Sequence, residues 1–242
     1  MLVTIKRWFV SAAPRIAGWS ELSSWARARQ WGLRAVREPA GFVLQGRSGS
    51  TDWRLEWGPS RRSYIRGPEL RIRAELSVPR ELQALVLNRE LMESMEKSVF
   101  DQYVQGVQTR IDTTTPPEMR WLVMFPKLSP AEMKSLRDGY GALSSVKPWL
   151  QQWLGGALSS ALCATPTSAD RPLVLMLARR RLCLRTVLAQ PDPAELEAWL
   201  ALFECAVLEA QRVAPVETDL HAPSTQPSLF SASTMSADGA RP

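Results

Sequence analysis

The sequence predicts an α+β fold: an antiparallel β-meander over about residues 31–77, a second small sheet beyond it, helices packed on both, and a disordered C-terminal tail from residue 214. Three observations carry this. Between residues 53 and 76, Trp53, Leu55, Trp57, Leu70, Ile72, Ala74 and Leu76 alternate with Arg54, Glu56, Glu69, Arg71, Arg73 and Glu75. Successive side chains in a strand point to opposite faces, so this is a sheet with one dry and one wet face. Leu82, Leu85, Met92, Met95, Val99 and Val107 then recur at helical spacing. After residue 213 the apolar periodicity stops, and Pro, Ser, Thr and Ala dominate. Such a segment buries too little apolar surface to offset its ordering entropy.

Taken in order, residues 19–30 predict a helix capped by Ser20, with Leu22, Trp25 and Ala26 on one face. Strands are expected over about 31–37, 41–47, 52–57, 62–66 and 69–77, broken by Gly-Pro pairs and by the loop GRSGST. Pro79 opens a predicted long helix reaching about residue 112, since proline at the first helical position forfeits no hydrogen bond. WLVMF at 121–125 is apolar on both faces and reads as a buried strand. Helices follow at about 130–138 and 148–163, then strands at 172–178 and 181–188 joined at Arg179-Arg180. Asp192-Pro193-Ala194-Glu195 is a helix start with cap, Pro and acid in their preferred places. The predicted organisation is a globular unit over 1–213, with sub-units 19–112 and 113–213, and a tail over 214–242.

The composition is that of a soluble protein, with no apolar run of the ~18 residues a membrane span needs. The N-terminal segment, with Trp8, Phe9 and Ile16 beside basic residues, reads as an edge packed on the core or a helix lying on a surface. Cys163, Cys183 and Cys205 are odd in number, lack CxxC spacing and fall in apolar patterns, so buried thiols in a reducing, cytoplasmic setting are expected. The only histidine is His221, in the tail. That removes Ser–His and Cys–His catalysis and His-ligated zinc from the folded part. No GxSxG, GxxxxGK[ST] or GxGxxG occurs, and no cofactor is indicated.

Of 30 basic residues only five are lysines, so 25 are arginines. Between 27 and 73 eleven arginines face four acids, a segment charge of +7 against +6 for the whole chain. Arg54, Arg61, Arg62, Arg71 and Arg73 are the candidate anion- or nucleic-acid-binding residues, because a guanidinium fork donates two parallel hydrogen bonds to phosphate or carboxylate. A solvated Arg/Glu face held by cross-strand ion pairs accounts for the same pattern. Trp53 and Trp57 alternate away from the arginines, which speaks against base stacking. A second basic cluster comprises Arg171, Arg179, Arg180, Arg181 and Arg185, and Asp52, Glu56 and Glu69 are the acids a carboxylate-metal site would draw on.

The tail contains Gln226-Pro227-Ser228-Leu229-Phe230. This peptide resembles the pentapeptide by which bacterial replication and repair proteins dock on the sliding clamp, with Pro227 standing where that motif carries Leu. The resemblance implies Leu229 and Phe230 in a hydrophobic pocket and Gln226 bonding at its edge. The functional expectation is a non-enzymatic bacterial binding or adaptor module with a protein partner. The alternatives are a nucleic-acid-associated factor tethered to the clamp through the tail, and a carboxylate-metal enzyme.

Overall fold

The computed structural model describes residues 18–104, 116–166, 168 and 170–213. The first element, α1 (Trp19–Ala28), buries Leu22 and Ala26. Its N-cap is Gly18, at φ 72, and not the expected Ser20. The meander follows as β1 (Gly32–Val36), β2 (Gly41–Ser48), β3 (Thr51–Pro59) and β4 (Pro68–Glu75), each antiparallel to the next. Residues 62–66 form a loop, not the expected strand. Their backbone is satisfied locally: the Arg62 amide donates to Ser60 Oγ at 2.9 Å and the Ile65 amide to the Arg62 carbonyl at 3.1 Å. Ile65 is buried, which anchors the loop.

The long helix expected from Pro79 is a strand followed by a helix. Ala84–Asn88 is β5, buried at every position, and α2 (Arg89–Val104) begins at once behind it. A strand dry on both faces has no polar alternation, so its apolar residues match a helical stripe equally well. The opposite correction applies to 121–125: residues 121–124 lie in α3 (Pro117–Met124), with Pro116 at its N-cap and Phe125 at its C-cap. Val123 and Met124 are exposed there, 55% and 62%, so the run is not dry on all sides.

A capping box at Ser129 and Glu132 starts the short α4 (Pro130–Met133). Next comes a strand that the sequence reading missed, β6 (Tyr140–Ser144). The helix expected over 148–163 is two, α5 (Lys147–Trp153) and α6 (Ala157–Ala164), parted at Gly155-Gly156. β7 (Leu173–Ala178) and β8 (Arg181–Val187) form the expected hairpin. Arg179 and Arg180 take φ of 51 and 66, the positive values that a two-residue hairpin turn with matching twist demands. In α7 (Pro193–Arg212), Asp192 accepts from the Ala194 and Glu195 amides at 3.0 and 3.1 Å, as its cap sequence predicts.

All eight strands belong to one antiparallel sheet, in the order β1-β2-β3-β4-β8-β7-β5-β6. The α+β class and the meander stand as expected. The strands assigned to a second sheet continue the first, because β8 pairs with β4 along its length. One face carries the larger core: Leu55, Leu70, Ile72, Val86, Leu175 and Leu184 pack under α1, α5, α6 and α7. The other face is divided. At β5, β6 and β7 it holds a second core of Leu85, Leu87, Leu143, Val174 and Met176 beneath α2 and α3. Across β3 and β4 it is polar, with Arg181 and Arg185 of β8 continuing it. Among the described residues no helix is long and apolar enough to cross a membrane. All three cysteines are free, and Cys163 is exposed, contrary to the expectation of burial.

Candidate anion-binding face

The register sets the arginines side by side. One row across the sheet reads Val43, Glu56, Arg71, Arg185, Val174, Leu87, and the next reads Gln45, Arg54, Arg73, Cys183, Met176, Leu85. Each row is polar across β3 and β4 and turns apolar at β7, with Val43 an apolar residue at the β2 end of the first. Two like-charged pairs sit directly opposite, Arg54 with Arg73 and Arg71 with Arg185. Directly opposed like charges destabilise a sheet unless something neutralises them.

Glu56 does so for three arginines at once. Its carboxylate accepts from Arg54 Nε at 2.6 Å, from Arg73 Nη2 at 2.9 Å and from Arg71. Three cations on one carboxylate leave a local positive excess. Arg71 keeps a buried Nε with no hydrogen-bond partner. Burial, then the neighbouring Arg185, pulls the Arg71 guanidinium below its ordinary value, and burial followed by Arg54 does the same to Arg73. Both remain cations at neutral pH, since guanidinium starts so high. Arg54 and Arg73 keep about a third of their side-chain surface open, 34% each.

A second, deeper network closes the β4–β8 end. Glu69 accepts from Arg185 and, at 3.0 Å, from Ser60 Oγ. Glu118, from the first turn of α3, is fully buried at 0% exposure. Its Oε1 accepts from Arg62 Nε and from the Tyr64 hydroxyl, both at 3.0 Å, with Arg185 Nε at 3.9 Å. Its Oε2 has no hydrogen-bond partner. Burial, then the Glu118 carboxylate, pushes the Tyr64 phenol up, so the hydroxyl stays a donor. Cys183 lies between Arg73 and Met176. Burial holds its thiol up, against the pull of Arg185 and Arg71.

Of the five arginines expected to bind anions, the fold brings Arg54, Arg71 and Arg73 together. Arg62 belongs to the Glu118 network, and Arg61 is exposed, its backbone N–H donating to Glu69 at 3.4 Å. From the second basic cluster, Arg185 joins the face, as its shared parity with Arg181 and Cys183 allows. Glu118 was missed. Trp53 and Trp57 lie on the opposite, core face, so neither offers a stacking platform beside the arginines. Asp52, Glu56 and Glu69 each engage an arginine, and among the described residues no group of three or more His, Cys, Asp or Glu could hold a metal ion. Gln226, Leu229 and Phe230, like the N-terminal segment, lie outside the described residues.

The sequence matches no family model and no curated protein. Among solved structures, the crystal structure of the mycobacterial trehalose monomycolate transport factor A aligns at a TM-score of 0.49 and 8% identity, over 83% of this chain and 98% of that one.

Proposed function

We propose that the protein is a non-enzymatic binding module that recognises an acidic segment of a partner protein on the arginine face of its sheet. The supporting observation is the pair of like-charged cross-strand contacts, Arg54 with Arg73 and Arg71 with Arg185, sharing too few acids and leaving Arg71 Nε unpaired. A face selected only for stability gains nothing from that arrangement. A ligand carboxylate supplies the missing acceptors, as Glu56 already does within the chain. An acidic peptide fits better than nucleic acid because the strand tryptophans beside the arginines, Trp53 and Trp57, point to the opposite face. A labelled deca-glutamate peptide should bind the full chain at low salt and be released as salt rises. Arg71→Ser with Arg73→Ser should weaken it at least about tenfold, since charge-assisted hydrogen bonds contribute ~1.5–3 kcal/mol each. Absence of binding, or binding indifferent to the double substitution, refutes the reading.

A second reading rests on the tail peptide alone: Gln226, Leu229 and Phe230 dock on a bacterial sliding clamp, holding the protein beside nucleic acid. A synthetic peptide over 220–235 should then bind the clamp weakly, and Leu229→Ala with Phe230→Ala should abolish binding. The segment has no Lys, Arg, Asp or Glu, so its binding should survive salt that releases an arginine-held anion. No binding to the clamp by either peptide or full chain reduces the motif to coincidence.

A further inference from the structure

We infer that Glu118 is a built-in competitor for the arginine face, and that an acidic ligand displaces it and releases α3 from the sheet. This rests on the reading of that face as an anion-binding surface and adds its regulation. The two networks are continuous. Arg71 stands directly opposite Arg185, and Arg185 reaches both Glu69 and Glu118. A carboxylate entering over Arg54 and Arg73 therefore meets Arg71 next, and then Arg185 and Arg62.

That inner position is already filled by a carboxylate of the chain itself. Glu118 presents to Arg62, Tyr64 and Arg185 the chemistry that the ligand would bring. Its fit is incomplete. Oε2 is buried and unpartnered, and Arg185 Nε stands at 3.9 Å, beyond hydrogen-bond reach. A buried acceptor left unpaired carries a desolvation penalty, so the closed contact is poised for exchange. A flexible ligand with several carboxylates can satisfy the same donors without that constraint.

What Glu118 holds is the lid of the second core. Met119, Trp121 and Leu122 of α3 belong to the same core as Leu85, Leu87, Val174 and Met176. It is eight residues long, too short for a stable helix without its packing. Exchange of Glu118 for a ligand carboxylate would thus couple anion binding on one half of the face to uncovering of apolar surface on the other.

The test compares the full-length wild type with Glu118→Gln, which keeps the side chain's shape and its bond from Tyr64 but removes the competing charge. Labelled deca-glutamate should bind the variant at least about tenfold more tightly, since the wild-type site accepts the peptide only in the fraction of molecules whose internal carboxylate has left it. In the wild type, which needs no substitution, saturating peptide should speed backbone hydrogen exchange at residues 118–124. If the wild type binds and Glu118→Gln binds no better, the competition is refuted while the anion-binding face stands. Exchange at 118–124 that is unchanged or slowed by the peptide also refutes it. If deca-glutamate binds neither protein, both the face and its regulation fall.

Discussion

Trp53→Ala should unfold at much lower denaturant than the wild type, with a loss of ~3–5 kcal/mol, the range for deleting a large aromatic from a core. Trp53 is 3% exposed in β3 and meets Trp31 edge-on at 4.9 Å, and Trp31 in turn meets Trp25 at 5.0 Å. Gly46 stands opposite it on β2, and a methyl group there would collide with the rings of both Trp53 and Trp31. The neighbouring strand offers only Ala74. One large ring thus fills the volume that two small residues leave. Trp57 should matter less. It is half-buried, and its indole N–H donates to the Leu188 carbonyl at 2.8 Å, so Trp57→Ala loses one hydrogen bond and a partial burial. Chemical denaturation followed by circular dichroism checks both. A Trp53→Ala protein within about 1 kcal/mol of wild type would show that this cluster is not load-carrying core.

The parts of the fold that could be read from the chain are those with one wet face. β3 and β4 announce themselves through Trp53-Arg54-Leu55-Glu56 and Leu70-Arg71-Ile72-Arg73, and the β7–β8 hairpin through its two-residue turn. β5 was hidden because it sits mid-sheet with a core on each side. Leu85 and Leu87 serve one core and Ala84 and Val86 the other, so no polar residue marks the alternation. α3 was hidden for a related reason: Trp121-Leu122-Val123-Met124 is too apolar to show a period, although Pro116-Pro117 marks a helix start. The candidate site divides the same way. Arg54, Arg71 and Arg73 share a face by parity alone, and Arg185 follows by the same rule. Glu118 does not, because its partner Arg62 lies 56 positions away and meets it only once α3 packs on the sheet.

Glu118→Ala should cost ~3–5 kcal/mol at neutral pH, the range for removing one partner from a buried ion pair. The cost comes from what is left behind. Arg62 and the Tyr64 hydroxyl lose their acceptor, while Arg185 retains Glu69. Arg62 is 21% exposed and recovers some hydration, which places the expectation nearer the lower bound. Adding Arg62→Met removes the stranded cation and supplies apolar contact in its place. The double variant should therefore be more stable than the sum of the two single losses, with a coupling of ~1–3 kcal/mol as for residues in direct contact. Glu118→Gln should fall between wild type and Glu118→Ala, since it still accepts from Tyr64. Strict additivity of Glu118→Ala and Arg62→Met would show that the two side chains do not meet in solution, and would remove the physical basis for holding α3 on the sheet.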